Sequence, residues 1–268
     1  MADLTITERK HLSALQQKKF RTEFQECLVE GLRLCEEALH SSWHVKRLFV
    51  TREFQLKPEA AELLQQADRR GIPPESLPAE TIERITATRH TQGVALLLDI
   101  PTHSEPSETR ISADRFLLLD GVSDPGNVGT LLRSADWFGI TNIICGPGTV
   151  EWTNPKVIRA SMGAVFHTQI ITVDSWDTIF NSLRESGVPL LAADLGGVNI
   201  AQTHFSRRFD NWGLILGNEA HGISTALVSR ADHRITIPGR GDAESLNVAM
   251  AGTILLYELC RNFNSSAS

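Results

Sequence analysis

The chain predicts an α/β protein of two modules, the second built on a parallel sheet with helices on both faces. Three observations lead there. Its 268 residues are 41% hydrophobic and 22% charged, inside the range of folded domains and outside that of disordered or coiled-coil chains. Short apolar, strand-like runs alternate with helical patterns along nearly the whole length, as expected for strands buried between helices. A polar run with two prolines, Pro101-Thr102-His103-Ser104-Glu105-Pro106-Ser107-Glu108-Thr109, interrupts the alternation and reads as an interdomain linker. A single core becomes strained at this length. The natural division is residues 1–100, a linker over 101–112, and residues 113–268.

The first module opens with a polar helix. Strand-like runs at Cys27 to Val29, Val45 to Thr51 and Gly93 to Ile100 then alternate with helical patterns at Gly31 to His40, Pro58 to Arg70 and Ala79 to Thr88. This is a small α/β sandwich. In the second module the order begins with a strand at Arg115 to Asp120, a helix at Asn127 to Phe138, and strands at Thr141 to Cys145 and Phe166 to Thr172. It continues with a helix at Trp176 to Glu185 and strands at Val188 to Ala193 and Trp212 to Leu216. A helix at Ser224 to Arg230, a strand at Arg234 to Ile237 and a last helix from about Leu246 to Phe263 complete it.

Charge and cysteine content exclude several classes. Lys10, Glu8 and Arg9 stand where a signal peptide needs an apolar run, and no stretch approaches the roughly 20 apolar residues of a membrane span, so a cytoplasmic protein is expected. Cys27, Cys35, Cys145 and Cys260 form neither a disulfide framework nor a closely spaced zinc pair; reduced core thiols and no metal site are expected. The formal net charge is −6, and neither module is basic: 15 Lys+Arg against 17 Asp+Glu before residue 113, and 11 against 15 after it. Any nucleic-acid contact must therefore use a local patch, such as Lys10, Lys18, Lys19 and Arg21, or Arg207-Arg208.

In a parallel α/β sheet, ligands bind beyond the carboxyl ends of the strands. Three of the loops there are unusual. After Asp120 comes Gly121-Val122-Ser123-Asp124-Pro125-Gly126-Asn127, then a helix with Val128, Leu131, Leu132, Ala135 and Phe138 on its apolar face and Arg133 off it. The glycine spacing fits neither a dinucleotide-binding turn nor a P-loop, and Asp124 or Asn127 alone is equally well read as a helix cap. The second loop, Gly217-Asn218-Glu219-Ala220-His221-Gly222, sets a carboxylate between glycines that allow close backbone approach. The third runs from Ile237-Pro238-Gly239-Arg240-Gly241 to Ser245-Leu246-Asn247-Val248, with Ser245 the expected cap of the most apolar helix.

Taken in this order, the loops resemble the motifs of the SpoU/TrmH family of S-adenosylmethionine-dependent RNA ribose 2'-O-methyltransferases. The matching positions are Asn127 with Arg133, Gly217-Asn218-Glu219 with Gly222, and Ile237-Pro238 with Ser245-Leu246-Asn247-Val248. Asn154-Pro155-Lys156 with Arg159, Ser161 and Gly163 resembles the family's intermediate segment. The first module, through its Val29-Glu30-Gly31 and Gln92-Gly93-Val94 turns, resembles the RNA-binding domain of members that act on ribosomal RNA.

The resemblance implies a trefoil knot in the second module, an exception to the usual unknotted connectivity. It also implies a homodimer in which Arg133 of one protomer serves the cofactor held by the other. Gly217, Ile237 and Leu246 become cofactor contacts, and Asn127, Arg133, Glu219, Ser245 and Asn247 the catalytic set. A guanidinium stays protonated, so Arg133 suits phosphate positioning and electrostatic activation, and Glu219 is the better proton acceptor. His221 and Cys145 stay outside the site, and no cysteine is placed as the nucleophile a pyrimidine carbon-5 methyltransferase requires. Ribosomal RNA is the expected substrate. The alternatives are transfer RNA, base methylation within the same superfamily, or an idle RNA-binding or ribosome-assembly protein.

Overall fold

The computed structural model describes residues 4–101 and 114–261. The proline-containing run assigned as linker lies almost wholly outside them. The chain divides into two compact units: residues 4–101 together with Thr153–Phe166, and the remainder.

The N-terminal unit holds α1 (Ile6–Ala14), α2 (Lys18–Phe24), β1 (Glu26–Glu30), α3 (Leu32–His40) and β2 (Val45–Val50). After these come α4 (Arg52–Gln55), α5 (Ala60–Arg69), β3 (Pro74–Ser76), α6 (Ala79–Thr86) and β4 (Val94–Asp99). Its sheet order is β1-β4-β2-β3, antiparallel except for the short β2–β3 pair. The opening polar segment is two helices. Thr5 and Glu8 form a reciprocal capping box at the start of α1, and apolar Leu12 and Leu15 enter a core with Phe49, Leu77, Ile82 and Ile85. Arg21, expected in a basic surface patch, is instead buried at 2% exposure and donates through Nη1 to the Leu15 carbonyl at 2.7 Å. A helix end turned inward leaves carbonyls without partners, and the guanidinium supplies donors there.

The Val29-Glu30-Gly31 and Gln92-Gly93-Val94 turns prove to be one feature. Gln92 Oε1 accepts from the Leu32 amide at 2.8 Å, capping α3, and the Gly31 amide donates to the Val94 carbonyl. Gly93 has φ +89°, and a Cβ there would stand 2.6 Å from Thr51 Oγ1.

The segment Thr153–Phe166 completes this unit. Asn154 accepts from the Lys156 amide and Pro155 fills the first helical position, starting α8 (Pro155–Ser161). The helix ends with Met162 in the left-handed region and Gly163 at φ +103°. The Phe166 ring then meets Trp43 edge-on, with centroids 5.0 Å apart.

The C-terminal unit contains β5 (Arg115–Asp120), α7 (Pro125–Trp137), β6 (Asn142–Cys145), β7 (Gln169–Thr172), α9 (Asp177–Glu185) and β8 (Leu190–Asn199). The rest are α10 (Ile200–Thr203), α11 (Phe205–Arg208), β9 (Trp212–Gly217), α12 (Thr225–Val228), β10 (His233–Thr236) and α13 (Val248–Cys260). All pairings are parallel, in the order β10-β8-β9-β5-β6-β7, as the alternation predicts. Phe116, Leu118, Ile144 and Ile215 cover one face with Ile179 and Leu183 of α9. On the other, α13 lies so close that a Cβ at Gly252 would stand 2.5 Å from Leu131 and 2.7 Å from Leu216. Cys27, Cys35 and Cys145 are buried free thiols and Cys260 is half-buried; burial pushes the Cys145 thiol up to about 12. Among the described residues no helix is long and apolar enough to cross a membrane.

Gly163 provides a direct check on the N-terminal unit. A Cβ there would stand 2.5 Å from Glu37 Cγ, on a backbone conformation that disfavours any side chain. Gly163→Ala is expected to cost about 1–3 kcal/mol of unfolding free energy, measured by denaturant titration; an unchanged midpoint would contradict this packing.

Candidate active site

The sheet brings the first and second loops to the carboxyl ends of adjacent strands, because β5 pairs with β9 and Asp120 is opposite Gly217. Buried Asp120 ties them. Its Oδ1 accepts from Trp176 Nε1 at 2.8 Å and its Oδ2 from the Ser224 amide at 2.7 Å, just beyond the second loop. Gly146 makes room for this indole, since a Cβ there would fall 2.1 Å from the Trp176 ring. Asn218 adds a second tie, donating through Nδ2 to the Gly121 carbonyl at 2.8 Å. Its Oδ1 accepts from the Ala220 and His221 amides, while its backbone bridges Gly222. Thr149 Oγ1 takes the Gly121 amide and donates to the Leu119 carbonyl.

Within this frame three expected site residues form a chain of side-chain hydrogen bonds. Asn247 Nδ2 donates to Asn127 Oδ1 at 3.0 Å, and Asn127 Nδ2 donates to Glu219 Oε1 at 2.9 Å. All three motif loops are thereby joined. Asp124 is the N-cap of α7, accepting from the Asn127 amide, which leaves the Asn127 side chain free to bridge. Asn247 caps α13 by accepting from the amides of Ala249 and Met250; the expected cap, Ser245, lies two residues before it. Burial pushes the Glu219 carboxyl up. The Asn127 amide group and the backbone amides of Glu219, Ser123 and Asp124 outweigh it and hold the carboxyl below the usual range.

The remaining expected residues are placed differently. Gly217 is buried, and a Cβ on it would stand 2.2 Å from the Gly222 carbonyl carbon, so the approach it permits is first that of the chain's own backbone. Ile237 is half-buried, whereas Ser245 and Leu246 are exposed. Among the described residues, the backbone of 238–246 makes no hydrogen bond to protein. Its amides and carbonyls are free for a ligand.

Arg133 does not join the three-residue chain. Six residues beyond Asn127, it lies about 240° round α7 and about 9 Å along it, exposed and without a polar partner among the described residues. Trp137, one turn on and 83% exposed, shares its face. Met250, Ile254 and Tyr257 form an exposed apolar stripe on α13, at 65%, 40% and 56%. The two helices are joined alongside by the Ser134–Thr253 hydroxyl pair and by Phe138 against Tyr257. Sequence reasoning passed over Asp120, Asn218, Thr149 and Trp176 as working residues of the site. Only Asn218, inside a motif, carries a local signal.

This geometry agrees with comparison to known proteins. The model of the SpoU rRNA Methylase family matches residues 114–257, and that of an MRM3-like substrate binding domain matches residues 8–96. The chain belongs to the SpoU rRNA methylase family. It is 33% identical to the 23S rRNA (guanosine(2553)-2'-O)-methyltransferase RlmP of Bacillus subtilis (strain 168), over 93% of this chain and 94% of that one. To the 23S rRNA (uridine(2479)-2'-O)-methyltransferase of Streptomyces viridochromogenes it is 28% identical, over 90% and 84%. The crystal structure of an AdoMet-bound rRNA methyltransferase from Sinorhizobium meliloti superposes with a TM-score of 0.84 at 30% identity, covering 99% of this chain and 98% of that one.

The Asp120 tie is open to direct test. In Asp120→Asn one of the two N–H donors loses its acceptor, at a cost of about 1–3 kcal/mol in stability. Thermal melting should fall accordingly, and a full-stability variant would show that the carboxylate is dispensable to the loops.

Proposed function

We propose that the protein transfers the methyl group of S-adenosylmethionine to a ribose 2'-hydroxyl of ribosomal RNA. The observation that carries this is the Asn247–Asn127–Glu219 chain, which joins the three motif loops at the carboxyl edge of a parallel sheet. The rRNA-directed relatives and the match of residues 8–96 to a substrate-binding domain favour ribosomal over transfer RNA. The cofactor fits the buried Gly217 and the unbonded backbone of 238–246, with Ile237 and Leu246 offering apolar contact. When bound, it supplies a sulfonium methyl group as electrophile.

The protein's task is positioning and charge stabilisation, since in-line displacement at a methyl carbon needs no covalent enzyme intermediate. Arg133 holds RNA phosphate and stabilises developing negative charge on the 2'-oxygen while keeping its own proton. Glu219, with its carboxyl held low, is a weaker base than an ordinary carboxylate. It orients Asn127 and is also the acceptor for the 2'-hydroxyl proton, which it passes to solvent once the methyl group has moved. Ser245, exposed beside this chain, is free to orient the ribose.

The reading includes a homodimer in which Arg133 of one protomer serves the loops of its partner. In support, Arg133 faces away from Asn127 and toward the surface bearing Trp137, beside the Met250–Ile254–Tyr257 stripe. It also includes the knot, supported by the sheet order and by α13 returning onto α7 and β9 after the edge strand β10. The site of action is cytoplasmic, and the domains follow the 1–100, 101–112 and 113–268 division, with α8 adding to the first.

Incubation of unmodified ribosomal RNA with labelled S-adenosylmethionine should yield a 2'-O-methyl nucleoside, and no label in transfer RNA. Arg133→Ala should lower the rate by about 100- to 1,000-fold with cofactor binding intact; a wild-type chain that binds no cofactor would overturn the reading. Met250→Asp with Tyr257→Asp should give monomers in sedimentation and abolish transfer, whereas active monomers would refute the shared site.

A further inference from the structure

The C-terminal unit carries a second cleft at the opposite pole of its sheet. Its volume is about 820 Å³, and it lies where the chain enters β8 and β10, between one face of α9, the segment leaving α12 and Phe209 just beyond α11. It is separated from the motif loops by the length of β9, roughly 20 Å. It is therefore no part of the cofactor site, which lies at the carboxyl ends of the strands.

Aromatic faces and cations are interleaved here. Phe209 and His233 line the cleft with ring centroids 5.9 Å apart at 36°. Arg208, exposed and next to the lining residue Phe209 rather than in the lining itself, places its guanidinium 5.5 Å from the Phe209 ring centroid and 5.8 Å from that of Phe205. Across the cleft, Arg230 lies over Phe180 at 4.7 Å and pairs with Asp177 at 2.5 Å. The other acid, Asp232, accepts from the Leu190 amide. Both carboxylates are thus engaged. Arg184 is exposed on the rim and, among the described residues, its guanidinium has no polar partner.

Stacking surfaces bordered by unneutralised guanidinium groups suit a ligand that is planar and apolar on its faces and anionic at its edge. A single-stranded RNA nucleotide has that chemistry, its base against an aromatic ring and its phosphate toward arginine. We infer that this cleft holds an unpaired nucleotide of the substrate RNA, distant from the ribose being methylated, with Phe209 and His233 as the stacking surface and Arg184 and Arg208 as the phosphate contacts. The inference rests on the RNA reading above. It also meets a difficulty posed by the net charge of −6: in an acidic protein, RNA must be held at local basic sites.

The test uses the full chain and two probes: unmodified ribosomal RNA in the methyl-transfer assay, and a fluorescein-labelled single-stranded RNA 12-mer followed by anisotropy. Arg184→Glu with Arg208→Glu should raise KM for ribosomal RNA roughly tenfold at unchanged kcat, and lower the slope of log affinity against log salt by about 1.4, the value for two single-strand phosphate contacts. Lysine at both positions should restore most of the affinity. Phe209→Leu, which keeps the packing, should weaken 12-mer binding without changing the salt slope. Unchanged KM and 12-mer affinity in both variants would overturn the assignment. If the wild type methylates no RNA, the functional reading fails, while the 12-mer measurement still decides whether the cleft binds RNA.

Discussion

The loops of the site depend on one carboxylate. Asp120 ends the central strand β5 and, from a buried position, accepts one hydrogen bond from the indole of Trp176 and one from the amide of Ser224. A buried carboxylate with only one of these partners would cost more than it contributes. Both must form together, so the end of β5, the start of α9 and the end of the second loop are fixed relative to one another. The Asn247–Asn127–Glu219 chain is then built on positions already set, and its amide side chains spend little conformational freedom in meeting.

Much of this was legible in the sequence. Alternating apolar strands and helices gave a parallel sheet because strands buried on both faces must read that way. The three motifs placed Asn127, Glu219 and Asn247 at one edge, where they are found. The misses have local causes. β3 is three residues long and begins with a proline, too short and too atypical for strand periodicity to show. Leu246 looked like the first apolar position of the last helix, yet it is half exposed and the cap is Asn247. Arg21 read as surface charge because a sequence does not reveal which carbonyls a helix end leaves unmet. Asp120 carries no motif signal, since its partners are 56 and 104 residues away.

Glycines divide the labour between geometry and ligand. Gly217 and Gly146 admit the chain's own backbone and indole, whereas nothing lies within 4 Å of a Cβ placed at Gly239 or Gly241 in the third loop. The first pair makes the frame rigid. The second leaves the third loop as the adaptable wall of the site, where a ligand can draw backbone groups to itself.

The placement of Thr153–Phe166 bears on how the protein is made. These residues belong to the N-terminal unit, but residues 114–152, which belong to the other, emerge from the ribosome before them. The first unit therefore cannot finish packing around Trp43 and Glu37 while it is the only part synthesised. Its completion waits on a long-range closure, a slow class of contact. A module that borrows an element from its neighbour's stretch of chain is also not exchangeable by a cut at the linker: the two halves are inherited, and mutate, as one piece.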